Sequence, residues 1–246
     1  MCVLCILFRK IKCYNTKKGG TTMSNIITKE EYLELGKDEH YSPGWQAIDD
    51  AFSEIYGKQE PKHYGTNLVS RAMLGGSEYL DGYSIYESSK GYYHIVTYGM
   101  SNLYFDEKYY GQDYSGWGYE MTLKLKADSA EDCVWALNML GNLARYTYTK
   151  KAYFQENEYI LGDGSPIKQG SDSKICSLLT TLDTEIESRD TVHGRLDFIQ
   201  VIGITWDDAC KVHENKKREF VKSTVDIIKK DNPDFVIDMD STTNYL

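Results

Sequence analysis

The sequence predicts a single α+β domain in which a mixed, largely antiparallel sheet packs against several helices. Strand-like runs lie at Tyr92–Tyr98, 119–126, Ile175–Leu182 and 196–204, where β-branched and aromatic residues are frequent. Segments with helical periodicity separate these runs without a regular βαβ rhythm. The 246 residues, 41% of them hydrophobic, suffice for one sizeable core and are too few for two comfortable domains.

The first long helix is predicted over residues 43–57. Ser42 is a candidate N-cap, Pro43 suits a first helical turn, and Gly57 suits a helix end. Hydrophobic residues recur between them at helical spacing, namely Trp45, Ile48, Phe52 and Ile55. Before this helix, residues 23–42 are polar and are expected to form a flexible lead-in with a short helix around Lys29–Leu35.

The run at 119–126 alternates without a break and predicts a half-buried strand. Tyr119, Met121, Leu123 and Leu125 would face the core. The intervening residues would face water on the open side of an antiparallel sheet, namely Glu120, Thr122, Lys124 and Lys126. Just before this run, Gly116 and Gly118 flank Trp117 and indicate a bend or bulge in the sheet.

The second half of the chain repeats these signals. Ser129 and Asp132 have the spacing of a capping box, followed by a helix that carries Cys133, Leu137, Leu140 and Ala144 on one stripe. Residues 155–174 are rich in Gly, Ser and Asp and predict an exposed loop. Further helices are expected from Trp206 and around 220–228, and a short last strand at 235–239. We expect the folded domain to span 43–240, with 241–246 as a tail.

Charge is distributed unevenly along the chain, whose formal net charge is −9. Residues 1–22 contain five bases and no acid. Lys18-Gly19-Gly20 can be encoded by codons that include a bacterial ribosome-binding sequence, and Met23 follows at a suitable distance. We therefore expect a bacterial protein that starts at Met23, with 1–22 as a non-native N-terminal extension.

The composition favours a protein partner over nucleic acid or membrane. An acidic body repels phosphate backbones and attracts basic proteins. No run approaches the roughly 20 apolar residues needed to span a bilayer. Outside residues 1–22 the cysteines are Cys133, Cys176 and Cys210, which are scattered and odd in number, so a reducing, cytoplasmic location is expected.

Enzyme signatures are missing from the sequence. It contains no GxSxG, GxxxxGK[ST], GxGxxG or HExxH pattern. The five histidines are far apart, and a hydrogen-bonded structural role is expected for His94. Acidic pairs such as Asp207-Asp208 fit a first helical turn, where the helix dipole favours acids. We predict a non-enzymatic protein with no catalytic residue, no metal site and no cofactor.

One apparent loop combines aromatic and acidic side chains and is the candidate binding site. Its residues are Tyr104, Phe105, Asp106, Glu107, Tyr109, Tyr110 and Asp113. Such a mixture in a loop is typical of recognition surfaces. The alternative is that the loop folds back and its rings pack on the sheet; the sequence favours neither.

Several short segments, in this order and spacing, resemble the suppressor-of-fused domain. They are 63–66 (HYGT), 80–82 (LDG), 97–104 (TYGMSNLY), 115–122 (SGWGYEMT), 135–138 (WALN), 143–146 (LARY), 194–195 (GR) and 198–205 (FIQVIGIT). Each is weak alone, whereas the ordered set is strong. The resemblance extends from about Pro43 to Asp240 and covers only the N-terminal domain of the animal proteins.

The resemblance implies a function in protein binding. Animal members are two-domain proteins that hold transcription factors of Hedgehog signalling and bind a peptide as an added strand. Bacterial members are usually single domains of this length, and many are regarded as immunity proteins of polymorphic toxin systems. The resemblance also places Asp106 near the animal ligand site. We expect an immunity protein that neutralises a toxin, with a basic toxin domain as the expected partner; the alternatives are a regulator or scaffold that binds a peptide by strand addition, and an enzyme with an unrecognised site.

Overall fold

Eight strands form one sheet in the computed structural model, which describes residues 27–66 and 80–246. They are β1 (Lys62–Gly65), β2 (Gly82–Ser88), β3 (Tyr92–Tyr98), β4 (Tyr114–Leu125), β5 (Glu158–Ile160), β6 (Ile175–Leu182), β7 (Arg189–Thr191) and β8 (Gly194–Thr205). Their order is β1-β2-β3-β4-β8-β6-β5, and β7 pairs with the start of β8. Among the described strands only the β4–β8 pairing is parallel. The predicted mixed, largely antiparallel sheet of an α+β domain is therefore confirmed.

Five helices cover this sheet within the described ranges: α1 (Lys29–Leu35), α2 (Pro43–Tyr56), α3 (Val134–Lys150), α4 (Trp206–Asn215) and α5 (Arg218–Asp231). On one face α3 packs through Leu137 and Leu140 against Met121 and Leu123. The other face carries two separate clusters. In one, α2 packs through residues such as Phe52, and in the other α4 and α5 cover the β6–β8 end of the sheet.

The prediction that one side of β4 faces water is wrong. Glu120, Thr122 and Lys124 have no exposed surface at all, whereas Lys126, just beyond the strand, is exposed. The connection between β6 and β7 covers this side, with Asp183, Thr184 and Glu185 bonded to the β4 residues or their neighbours. Alternation along one strand predicts two faces, but it does not reveal that a distant segment will cover the polar one.

Smaller differences concern the ends of elements. Ser42 precedes α2 but makes no side-chain capping bond, and Ile55 is 46% exposed although it lies on the predicted stripe. The predicted strand at 235–239 is reduced to one bridge between Ile237 and Leu125. The predicted loop at 155–174 contains β5. The helix expected after Ser129 begins with a 3-10 turn at Glu131–Cys133 before α3.

Two glycines of the 115–118 segment produce the predicted irregularity. Gly116 and Gly118 have φ of 59° and 86°, a region in which side chains with a Cβ are disfavoured. The pairing of β4 with β8 shifts register between Tyr114 and Tyr119 as a result. This bulge carries the start of β4 away from the regular ladder and towards the loop that precedes it.

Candidate protein-binding site

The candidate loop joins β3 to β4 and begins beside α2, which is bonded to it through the backbone. Leu103 is buried, and its carbonyl accepts bonds from the N–H groups of Gly44 at 3.0 Å and Trp45 at 3.3 Å. A side chain at Gly44 would lie 1.9 Å from the carbonyl oxygen of Asn102. Only glycine therefore permits the start of α2 to approach the loop this closely.

Tyr32 of α1 supports the middle of the loop from inside. Its ring is fully buried and lies 4.7 Å from the ring of Phe105 and 5.2 Å from that of Tyr110, measured between centroids. Its hydroxyl accepts a bond from the N–H of Asp106 at 3.2 Å and lies 3.0 Å from the carbonyl of the same residue. The loop thus folds back onto α1 and not onto the sheet.

His193 completes the support beneath the loop. Its Nδ1 lies 2.8 Å from the carbonyl of Asn102, which can only accept, so Nδ1 carries the proton. In the neutral ring Nε2 is then an acceptor for the Tyr32 hydroxyl, 2.9 Å away. Burial lowers the pKa of His193 and favours this neutral form. One imidazole therefore links Tyr32 of α1 to the backbone at the start of the loop.

Asp106 organises the turn that follows. Its Oδ1 accepts a bond from the N–H of Lys108 at 3.1 Å and caps the short 3-10 turn Glu107–Tyr109. Its Oδ2 lies 2.6 Å from Nζ of Lys108. Hydrogen bonds from Lys108 lower the pKa of Asp106 and keep it ionised.

The far end of the loop is bound to the β7–β8 turn. Gly111 donates to the carbonyl of Val192 at 2.9 Å, and Arg195 donates to the carbonyl of Asp113 at 3.1 Å. Tyr110 donates its hydroxyl hydrogen to the carbonyl of Ile27 at 2.9 Å. Because backbone bonds hold both ends, the loop is presented as a preformed surface.

The structure divides the seven predicted residues into two groups. Three supply internal support with their backbones or rings: Phe105, Asp106 and Tyr110. Two are exposed acids, Glu107, which pairs with Lys29 at 3.4 Å, and Asp113, and Tyr104 is 52% exposed. Tyr109 is partly buried, with Lys108 Nζ 4.6 Å from its ring centre. The sequence interpretation missed Tyr32 and His193, which lie far from the loop in the chain and carry no motif of their own.

A buried carboxylate fixes the turn before the loop. Glu120 accepts five hydrogen bonds, from the N–H groups of residues 99, 100 and 101 and from the hydroxyls of Thr97 and Ser101. Burial raises its pKa, and these bonds act in the opposite direction. Glu120 thus joins two of the segments that resemble the family, 97–104 and 115–122.

A second polar cluster consists of charged side chains that pair with one another. Lys124 Nζ lies 3.3 Å from Asp183 and 3.1 Å from Glu185, and His94 Nε2 lies 3.0 Å from Asp183. Lys124, Asp183 and His94 side chains have no exposed surface. The pKa of Asp183 is lowered, because the His94 and Lys124 interactions outweigh its burial. The structural role expected for His94 agrees with this geometry, since its Nδ1 also bonds Tyr56 at 3.0 Å.

The described residues contain neither a metal-ligand cluster nor a membrane-spanning helix. Residues 27–66 and 80–246 contain no group of three or more His, Cys, Asp or Glu side chains placed to hold a metal ion. No helix in that part of the chain is both long and apolar enough to cross a membrane.

Comparison with known proteins defines the class. The model of the suppressor of fused protein (SUFU) family matches residues 76–240, which is more than half of the chain. The chain belongs to this family. The human and mouse suppressor of fused homologues are each 27% identical to it over 178 residues, which cover 67% of this chain and 36% of theirs. The aligned segment thus spans little more than a third of those relatives.

Solved structures share the fold. A chain in the crystal structure of the Sufu–Fu complex superposes with a TM-score of 0.69 and 22% identity, over 83% of this chain and 93% of that one. Drosophila Suppressor of Fused has the same TM-score at 23% identity, over 84% of this chain and 52% of its own. A SUFU homologue from Neisseria gonorrhoeae gives a TM-score of 0.52 at 14% identity, over 82% of this chain and 97% of its own.

Proposed function

We propose that this chain is a non-enzymatic, cytoplasmic protein-binding module, and more specifically a bacterial immunity protein that neutralises a toxin. The observation that carries the proposal is the preformed loop at 104–113. Backbone bonds hold it at both ends, while the side chains of Glu107, which pairs with Lys29 at 3.4 Å, and of Asp113 are exposed to solvent. A rigid acidic surface of this kind binds without a large entropic cost of ordering.

Charge indicates the kind of partner. The loop carries three acids and one lysine, and the whole chain has a formal net charge of −9. Acidic surfaces speed the encounter with basic proteins and disfavour acidic ones. A toxin with a basic cleft, such as one that acts on nucleic acid, fits this surface by complementarity.

The family supports protein binding at a coarser level. One related structure is that of a complex between Sufu and a second protein, Fu. Because the aligned segment covers 36% of the human protein, the partner of that longer protein does not transfer to this chain. The polar cluster around Lys124 favours the same interpretation over an enzyme, since its charged groups are paired with one another.

The experiment is capture followed by a test of toxicity. The protein is produced in its native host with an affinity tag, and captured partners are identified by mass spectrometry. A captured basic protein that stops growth when produced alone, and no longer does so when this chain is co-produced, supports the immunity function. Capture of a stable partner that is not toxic supports a regulator or scaffold instead. If wild-type protein captures no partner in its native host, the binding proposal fails.

A further inference from the structure

A cavity of about 350 Å³ lies between α2 and the paired strands β1 and β2. It is lined by Trp45, Asp49, Ser53, Glu60, His63 and Tyr86, among others. Its volume is at the lower end of the range of ligand pockets, which suits one long side chain and not a drug-sized molecule.

The carboxylate of Asp49 is the unusual group in this cavity. Of the three acids of α2, Glu54 pairs with Arg189 at 2.8 Å and Asp50 accepts from the Gln46 amide at 2.7 Å. Asp49 accepts the hydroxyl hydrogen of Tyr98 at 2.8 Å and interacts with the side chain of Trp45, and it forms no ion pair with a described lysine or arginine. Partial burial raises its pKa, and the bond from Tyr98 and the charge of His63 act in the opposite direction.

His63 is the base whose positive charge, when the ring is protonated, lowers the pKa of Asp49. Desolvation lowers the pKa of His63, so its ring is neutral at pH 7 and leaves the charge of Asp49 uncompensated. Its Nδ1 lies 3.0 Å from the hydroxyl of Ser84, which holds the ring against β2. At the rim, Glu60 adds a second, exposed negative charge.

Aromatic rings form the other wall. Trp45 is held in place because its ring centre lies 4.5 Å from that of the buried Tyr98 and 5.3 Å from that of His63. Tyr86 lines the same cavity. A cation close to a tryptophan face is attracted by the ring quadrupole, and arginine is used for this purpose more often than lysine.

The cavity is also preformed. Gly57 ends α2 with φ of 61°, which turns the chain back towards β2. Gln59 then bonds the backbone of Glu87 through both ends of its amide, donating at 3.0 Å and accepting at 2.8 Å. The rim therefore needs little ordering when a ligand enters.

From these features we propose that the cavity binds the arginine side chain of a protein partner, with its guanidinium between the Asp49 carboxylate and the Trp45 ring. A guanidinium is planar, permanently charged and able to donate two parallel bonds to one carboxylate, while its flat face stacks on an aromatic ring. A lysine ammonium provides the charge without the planar fork. The site is separate from the acidic loop and does not depend on the function proposed for it.

The test uses a short peptide, acetyl-Gly-Arg-Gly-amide, with the citrulline peptide as its uncharged match. Binding to the full chain is followed by NMR of the tryptophan indole N–H groups, with the Trp45 signal assigned from Trp45→Phe. We expect saturable binding at millimolar concentration for the arginine peptide, weakened about tenfold by Asp49→Asn through loss of a charged hydrogen bond. Asp50→Asn, one residue away and exposed, should leave the affinity unchanged.

Two more variants keep the test decisive. Glu60→Gln, an exposed change that leaves the core intact, should weaken the arginine peptide about two- to threefold. Glu107→Gln with Asp113→Asn should have no effect, which separates this site from the loop. Equal binding of the citrulline peptide, equal weakening by Asp50→Asn and Asp49→Asn, or no saturation would each overturn the proposal. If Asp49→Asn fails to fold, the Glu60→Gln result and the citrulline comparison decide it.

Discussion

The acids on and next to the polar side of β4 differ from the acids of the 104–113 loop in their burial. Both groups contribute to the net negative charge of the chain. Glu120 and Asp183 are buried, and each is surrounded by donors or cations of the chain itself. Glu107 and Asp113 lie at the surface of a loop whose backbone is fixed. The buried acids therefore stabilise the fold, and the exposed ones are available to a partner.

The largest expected effect follows from removing the buried ammonium of Lys124. Lys124→Met removes the ammonium that Asp183 and Glu185 share and leaves Asp183 with His94 and Glu185 with Lys90; breaking a buried pair in this way costs about 3–5 kcal/mol. The measurement is urea unfolding at pH 7. The matched control is Lys126→Met, two residues along the chain, whose pair with Asp238 is more exposed and whose loss should cost far less. Equal losses would contradict the distinction between buried and exposed charges.

Acid should weaken the same cluster. The folded-state pKa of Asp183 lies below its ordinary value of 3.8, so its contribution is present above that value and is lost as the pH falls through the folded pKa. The difference in unfolding free energy between wild type and Asp183→Asn should be constant above about pH 5 and should shrink in more acidic solution. A difference that stays constant down to the acid limit of folding would show that Asp183 is not held ionised by its neighbours.

Glu120→Gln should destabilise the turn before the loop by about 2–3 kcal/mol, because an amide nitrogen cannot accept the bonds that one carboxylate oxygen now accepts. Hydrogen exchange should accelerate at the N–H groups of residues 99–101. Glu87→Gln, an exposed change on β2, is the control. Unchanged exchange at those three positions would argue against Glu120 as the organiser of the turn.

Tyr32→Phe tests the support beneath the loop. The variant keeps the ring but removes the hydroxyl that contacts Asp106 and His193, so a loss of about 1–2 kcal/mol is expected together with faster hydrogen exchange at the Asp106 N–H. Tyr41→Phe, on a ring packed 6.0 Å from Tyr32, is the matched control. If both variants behave alike, ring packing and not the hydroxyl holds the loop.

Much of the fold could be predicted from local patterns, because those patterns act within one element. The observed bounds of β3 and β6 match the predicted ones, and α1 lies where a short helix was expected. The polar side of β4 could not be predicted, since the residues that cover it are some 60 positions away: Asp183 with Thr122, and Thr184 with Lys124. Which face meets solvent is a property of the tertiary fold, not of the strand.

Contacts between distant residues also limit how much of the site could be predicted from the sequence. Aromatic and acidic composition was enough to select the 104–113 loop, but not to separate supporting residues from exposed ones. That separation depends on Tyr32 and His193, which are 74 and 91 positions from the residues they bond, Asp106 and Asn102. His193 follows a β7 that has only three residues, so no periodic pattern could have indicated its position.

The smallest expected effect on stability, and the most direct test of the account, comes from the loop acids. Glu107→Gln combined with Asp113→Asn should change the free energy of unfolding by less than about 0.5 kcal/mol, as surface substitutions usually do. The matched control is Glu214→Gln with Glu219→Gln, two exposed acids on α4 and α5.

The decisive measurement is the affinity of each double variant for the partner captured from the native host, with unfolding measured on the same samples. The account predicts that the loop variant keeps its stability and binds the partner at least about tenfold more weakly than the control variant, with the largest difference at low salt. Equal affinities for the two double variants would contradict it and would move the binding surface elsewhere on the molecule.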